Sequence, residues 1–426
     1  SVLLLREMRH RGRQHAFHVL KQKVPLIGVD GLVARQNRFE QPPGANLNIP
    51  VEHIFVMMLE NHSFDQYFGS LNKNIYPGQV DGLSTEMANY DANGNPIASY
   101  HQDRFCPGNP NHSWASSHDA WNNGLNDKFV QTNDGPKARQ TMGYYDESDL
   151  PYYYALAKHF TIGDRYFSSL MGPTYPNRFF LYSGTSFGFI KNHKAVRPDG
   201  QPVRTIFDVL SENGVSWRYY YTNFPVILYY MYPNMKKHLS HFRLRAFMKG
   251  DLKKDKFPQV TFIEPAWLIA DEEPPKNVQV GQASTAKVIG TIMKSPIWKS
   301  SATFLLYDEH GGFFDHVSPP EACEPDGFLP NDGAWRFDRL GFRVPFVMIS
   351  PYGKRHYVSH TEYSHTSFLK FMETKFNLPA LTFRDANSND MMDLFDFEHP
   401  NFEIPKLPKP KISLKGLWQC LVTKPK

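Results

Sequence analysis

Four short apolar runs, each cut off by polar residues, constrain this chain's fold most. His53–Leu59 (HIFVMML) runs into Glu60-Asn61-His62, and Val260–Ile263 (VTFI) into Glu264-Pro265. Thr303–Tyr307 (TFLLY) runs into Asp308-Glu309-His310-Gly311-Gly312, and Val344–Ile349 (VPFVMI) into Ser350-Pro351. Runs this short, with no polar alternation, read as strands buried on both faces, as in a parallel sheet. Helix-like stretches at Thr205–Asn213, Ala283–Lys294 and Thr366–Phe376 punctuate the rest. The alternation predicts an α/β domain, with a mostly parallel central sheet flanked by helices on both faces. Such sheets bind ligands beyond the carboxyl ends of their strands. Glu60, Asn61, Asp308 and Glu309 fall at such ends.

Composition narrows the class further. With 33 Phe, 22 Tyr, 7 Trp and 21% charged residues among 426, the chain has ample material for a core and is not low-complexity disorder. Its apolar runs fall far short of the roughly 18–20 residues that span a bilayer. A net charge of +5 is mild for this length and gives no electrostatic reason to expect nucleic acid. Three cysteines, Cys106, Cys323 and Cys420, allow at most one intramolecular disulfide, which excludes a disulfide-stapled scaffold and leaves the pairing open. Ser1 is followed by VLLL and then basic residues, the wrong order for a signal peptide. Residues 1–50 read as an N-terminal extension, 51–397 as the main domain, and 398–426, rich in Pro and Lys, as an extended tail.

Three constellations carry chemistry. Glu60-Asn61-His62-Ser63-Phe64-Asp65 places a carboxylate and an amide oxygen side by side after a strand, as hard ligands for Ca²⁺, Mg²⁺ or Mn²⁺. The same residues also serve as a helix cap. Tyr307–His316 (YDEHGGFFDH) crowds Asp308, Glu309, His310, Asp315 and His316 around a Gly-Gly turn, a costly arrangement unless an ion is bound. Thr174, between Gly172-Pro173 and Tyr175-Pro176-Asn177-Arg178, follows a rigid turn and opens a helix-competent stretch. A threonine hydroxyl held at a helix N-terminus beside a metal is a workable nucleophile, with Asn177 available to phosphoryl oxygens. His112 and His365 are further candidates.

The motifs ENHSFDQYFG (60–69), GPTYPNRFFLYSGTS (172–186), YDEHGGFFDHVSPP (307–320) and HTSFLKFME (365–373), in this order, resemble the bacterial and plant phosphoesterase family. That family holds non-specific phospholipase C and a group of acid phosphatases on an alkaline-phosphatase-like fold. The resemblance implies one divalent metal ion bound by Glu60, Asn61, Asp308, Glu309 and the Thr174 oxygen, with Thr174 as nucleophile. It also implies that His112, His310, His316 and His365 surround the phosphoryl group, with His316 or His365 protonating the departing alcohol and Asp315 orienting a histidine. Nearby histidines would also admit Zn²⁺ or Fe at the metal site. Export, to a secreted or periplasmic location, is expected from the resemblance alone. Two departures stand out: Asp271-Glu272-Glu273-Pro274-Pro275 has Glu where relatives often carry His, and Ser364 replaces an aspartate before His365.

The expected activity is that of a phospholipase C, passing through a phosphothreonine. A phosphomonoesterase using the same residues is the alternative, and a non-catalytic lipid- or cation-binding protein a remote one. Substrate choice is read from residues 217–235 (WRYYYTNFPVILYYMYPNM), strongly aromatic, followed by 236–256 with eight Lys/Arg against two Asp. An aromatic patch beside a cationic one suits contact with an anionic lipid surface; a core strand followed by a solvated basic face reads equally well.

Overall fold

The structure is a computed structural model, and it describes residues 44–84, 87–133, 135–254, 256–332 and 334–422. Most of the expected N-terminal extension, residues 1–43, lies outside the described residues. Residues 44–50 belong to the body of the protein: Ile49 is buried, and Lys375 Nζ donates to the Ile49 carbonyl at 2.6 Å.

The central sheet has eight strands. In chain order they are β1 (His53–Leu59), β2 (Thr161–Gly163), β3 (Trp217–Tyr221), β4 (Phe242–Leu244), β5 (Val260–Ile263), β6 (Ser301–Tyr307), β7 (Phe346–Ile349) and β8 (Tyr357–Ser359). Across the sheet they run β8-β2-β7-β6-β1-β5-β3-β4. Successive residues of a strand point to opposite faces, so the complete burial of all seven residues of β1 and of β6 means that both faces are covered. The helices that bear on the argument are α1 (Phe64–Phe68), α2 (Trp114–Trp121), α3 (Thr174–Ser183), α4 (Ile206–Glu212), α5 (Ile227–Met235), α6 (Val278–Met293), α7 (His365–Phe376) and α8 (Leu414–Val422). The predicted α/β class with a mostly parallel sheet is the class observed. Among the described residues no helix is long and apolar enough to cross a membrane.

The pairings β6-β1-β5-β3-β4 are parallel throughout. The fourth apolar run departs from expectation: β7 starts at Phe346, after Pro345, and is antiparallel to both β6 and β2. A parallel return needs a crossover, usually a helix. The connection 308–345 contains no α-helix among its described residues, so the chain reverses through a loop and comes back the other way.

Helix α4 lies where its sequence predicts, and a reciprocal cap opens it, with Thr205 Oγ1 accepting from the Asp208 N–H and the Asp208 carboxylate accepting from the Thr205 N–H. Helix α6 begins five residues before the predicted start. Its first turns bury polar residues that hide the apolar period: Asn277 caps them, and Gln282 Oε1 accepts from the Tyr152 N–H at 2.8 Å. The tail is extended only to Ser413. Helix α8 then docks through a Cys106–Cys420 disulfide, leaving Cys323 free.

The loop after β5 is fixed by one buried carboxylate. Glu272 accepts from the hydroxyls of Tyr67 (2.8 Å), Tyr153 (2.5 Å) and Tyr307 (2.6 Å), which lie on or beside three separate elements. Burial raises its pKa to about 7 against the pull of those three donors. Removing the acceptor would strand the buried hydroxyls of Tyr67 and Tyr307, leave Tyr153 only its longer bond to Thr285 Oγ1 at 3.2 Å, and open a cavity. Glu272→Ala should therefore lose about 3–5 kcal/mol of stability in chemical denaturation; a loss below about 1 kcal/mol would remove the carboxylate from this role.

Candidate functional site

Parallel pairing of β1 with β6 sets Leu59 opposite Tyr307. The next residues, Glu60 and Asp308, therefore leave adjacent strands at the same level, on the sheet edge where parallel strands end. Asn61 adopts a positive φ of 64°, which turns its N–H onto Asp308 Oδ1 at 3.1 Å. Gly311 (φ 66°) lies so close to the Asn61 carbonyl that a Cβ would sit 2.2 Å from it, so this turn accepts only glycine.

Helix α3 brings the other half of the site. Thr174 is its first residue, 8% exposed, and Oγ1 donates to Asn61 Oδ1 at 3.5 Å. One turn on, Arg178 is fully enclosed between the two carboxylates: Nη2 donates to Glu60 Oε1 at 2.8 Å and Nε to Asp308 Oδ2 at 3.1 Å. Sequence reasoning passed over Arg178; its spacing of four from Thr174 on one helix face was the available signal. Asn177 does not face a substrate. Its Oδ1 accepts from the Ser169 and Leu170 N–H groups, and Nδ2 donates to the Gly172 carbonyl at 2.9 Å. It is a latch that shapes the loop presenting Thr174.

Glu309 lies apart from the Glu60–Arg178–Asp308 group in its contacts. Its Oε2 accepts from the Gly311 N–H at 2.6 Å and lies 3.4 Å from His310 Nδ1, while Oε1 is 3.5 Å from His112 Nε2 and has no hydrogen bond. Burial works to raise its pKa, but His112, His310 and the Gly311 N–H together hold it below the ordinary carboxylate value. Burial drives Glu60 well above that value and Asp308 to about 7, in each case against the opposing pull of Arg178. Buried carboxylates facing a single guanidinium leave negative charge uncompensated, which a divalent cation would balance. A second acidic grouping adjoins the first: carboxylate oxygens of Glu60, Asp271 and Glu273 lie within 4.8 Å of one another, with Lys276 3.3 Å from Asp271 and paired to Glu273. The oxygen donors are thus positioned to hold a metal ion, and Glu273, the departure noted in the sequence, is among them.

The four histidines divide. His112 stands just before the N-cap of α2 and its Nδ1 donates to the Pro110 carbonyl at 2.8 Å, leaving Nε2 directed toward Glu309. His310 is buried beside the same carboxylate, and burial lowers its pKa. His365 opens α7 with Nε2 donating to the Asp308 carbonyl at 2.7 Å and Nδ1 accepting from Tyr166 Oη at 3.2 Å. Burial pushes its pKa to about 4, so it is neutral and fully hydrogen-bonded. His316 is engaged as well: Nδ1 meets Asp65 at 2.7 Å and Nε2 meets Asp81 at 2.8 Å. Asp315 orients no histidine. It accepts from Arg343 Nε at 2.8 Å, and Arg343 Nη2 in turn reaches Asp65 at 2.9 Å. Asp81 and Arg343, given no role in the sequence, join Asp65 of the first constellation to make this a largely buried clasp; such partners come from distant segments and leave no local signal.

The Phosphoesterase family pattern matches residues 51–379. Non-specific phospholipase C1 of Arabidopsis thaliana is 34% identical over 402 residues, covering 86% of this chain and 75% of that protein. Phospholipase C B of Mycobacterium tuberculosis is 31% identical over 440 residues, covering 87% and 83%. Among solved structures, a protein of the alkaline phosphatase superfamily from Vibrio parahaemolyticus is similar at a TM-score of 0.43 and 10% identity, over 89% of this chain and 78% of that one. The chain belongs to the Phosphoesterase family. It is a hydrolase acting on phosphoric ester bonds, which sets aside the non-catalytic reading.

The clasp has a pH signature. Burial works against a charged His316, but Asp65 and Asp81 outweigh it and raise the pKa to about 9. A histidine whose folded pKa exceeds its unfolded value of about 6.5 stabilises the fold below that value and loses the effect as pH rises through the folded one. His316→Gln should cost about 1–3 kcal/mol at pH 6. The gap from the parent protein should close as denaturation is repeated above about pH 9; a gap constant with pH would refute the pairing.

Proposed function

We propose that this protein is a phospholipase C that cleaves the glycerol–phosphate bond of phospholipids through a phosphothreonine at Thr174. The observation that carries the reading is the Thr174 hydroxyl, held at the start of α3 and donating to Asn61 beside the Glu60–Arg178–Asp308 group. The phospholipase C relatives support the choice of ester. Glu60, Asn61, Asp308, Glu309 and the Thr174 oxygen would hold a divalent ion, Ca²⁺, Mg²⁺ or Mn²⁺ by their donor type, with Zn²⁺ or Fe admitted by the histidines and Asp271 and Glu273 adjoining. Such an ion withdraws charge from a phosphoryl oxygen and lowers the pKa of the threonine hydroxyl.

Thr174 Oγ1 attacks phosphorus in line. The new Oγ1–P bond forms as the bond to the diacylglycerol oxygen breaks, and that oxygen takes up a proton. Water then attacks the phosphothreonine, returning the hydroxyl and releasing the phosphorylated head group. The α3 N-terminus favours the negative charge that develops on the phosphoryl group. The acid and base role falls to His112 rather than to His316 or His365, since its Nε2 lies beside Glu309 without a hydrogen bond; His310 Nδ1 is likewise unpaired there, but its side chain is fully buried whereas that of His112 is partly exposed. The Cys106–Cys420 disulfide supports an exported, oxidising location.

Thr174→Ala should lower turnover at least about a thousandfold with unchanged thermal unfolding, and His112→Ala by about a hundredfold or more. Near-normal turnover of Thr174→Ala removes the nucleophile. Phosphatidylcholine should be cleaved faster than p-nitrophenyl phosphate; the reverse order identifies a phosphomonoesterase. Chelation should abolish activity and divalent ions restore it, with full activity of metal-free protein disproving metal dependence.

A further inference from the structure

Loops that follow the parallel strands leave the sheet on the same edge. Those after β1 and β6 carry the polar site; those after β3 and β5 carry large apolar side chains facing solvent. Phe224 is 40% exposed, Tyr229 53%, and Leu268 and Ile269 59% each. They form one patch: the Trp267 ring centroid lies 5.8 Å from that of Phe224 and 6.5 Å from that of Tyr229, and Asn223 and Trp267 exchange two hydrogen bonds, at 2.8 and 3.0 Å.

The patch is continuous with the site on both sides. Tyr229 lies 6.4 Å, centroid to centroid, from Tyr175, the residue after Thr174. On the other flank the Leu268 N–H donates to Asp271 Oδ2 at 2.5 Å, and Asp271 belongs to the acidic group around Glu60. The Tyr175 N–H donates to Asn192 Oδ1 at 2.9 Å, which sets Lys191 and Lys194 beside the mouth. Both lysines are exposed, and neither forms an ion pair among the described residues. Within the cationic run 236–256, Lys237 is paired with Asp208 and Arg243 and Lys254 with Asp251, while Arg245 donates to Thr222 Oγ1 at 2.8 Å at the start of the loop after β3.

We propose that the rim formed by Phe224, Tyr229, Trp267, Leu268 and Ile269, flanked by Lys191 and Lys194, docks the site mouth onto a phospholipid bilayer. Aromatic rings and branched aliphatics enter the interfacial zone while neighbouring ammonium groups meet lipid phosphates. Cations at the margin of the patch complement a phosphate-bearing surface, and a substrate phosphorus held in the head-group layer reaches Thr174 only if the mouth itself meets the membrane. The identity of the surface rests on the phospholipase reading.

The test is cosedimentation of the full chain with phosphatidylcholine vesicles, with and without phosphatidylglycerol, alongside turnover on a short-chain phosphatidylcholine kept below its micelle-forming concentration. Leu268→Asn with Ile269→Asn suits the positive φ of Leu268 (62°) and removes apolar surface without touching the proposed catalytic residues. Vesicle binding and vesicle turnover should fall at least about tenfold, while turnover of the monomeric lipid stays within about twofold. Lys191→Gln with Lys194→Gln should weaken binding chiefly to the anionic vesicles. Vesicle binding equal in the Leu268/Ile269 variant and the parent protein overturns the proposal, as does a parent protein that binds no vesicles. A parent protein that binds vesicles through these residues yet cleaves no phospholipid upholds the surface and defeats the phospholipase reading instead.

Discussion

The parallel pairing of β1 with β6 is the constraint on which the site depends. Because Leu59 lies opposite Tyr307, two carboxylates more than two hundred residues apart in sequence emerge side by side. No flexible loop has to find the other; backbone hydrogen bonds along seven paired residues set their level. Such precision is what catalysis needs, since misplacement by an ångström costs far more rate than stability. Helix α3 then supplies the nucleophile candidate and its countercharge from one face, four residues apart.

Buried charge is handled by three separate devices around this edge. Arg178 joins Glu60 to Asp308, Arg343 joins Asp65 to Asp315, and Glu272 is held by three tyrosine hydroxyls. The first leaves carboxylate charge in excess and so points to a cation; the second is balanced by His316 and so points to structure. The distinction reassigns two residues that sequence alone had grouped together. His316 and His310 sit six positions apart in one motif, yet one closes a clasp and the other borders Glu309.

The apolar rim beside the site is built from the same topology. Loops after β3 and β5 need not pack on the sheet, and their large apolar residues remain in water beside the mouth. Exposed aromatic and aliphatic clusters of this kind usually mark a binding surface. In the strongly basic run that the sequence offered for this role, Lys237, Arg243 and Lys254 are engaged by Asp208 and Asp251. Lys191 and Lys194, unremarkable in sequence, stand at the mouth because Asn192 caps the start of α3.

Local information went a long way here. Unbroken apolar runs specify doubly buried strands because the hydrophobic effect acts on every side chain in turn, and β1, β5 and β6 lie where the runs lie. Glycine pairs, caps and a helix-opening threonine are likewise legible, since each is a short-range steric or hydrogen-bonding rule. The direction of β7, the early start of α6, the latch role of Asn177, the partner of Cys106 and the clasp around His316 were not. Each of these is decided by groups distant in sequence that meet only when the sheet is assembled, and a side chain's chemistry follows from the atoms it meets there. The sequence by itself determined which residues are able to do the chemistry; the tertiary structure decided which of them are left free to do it.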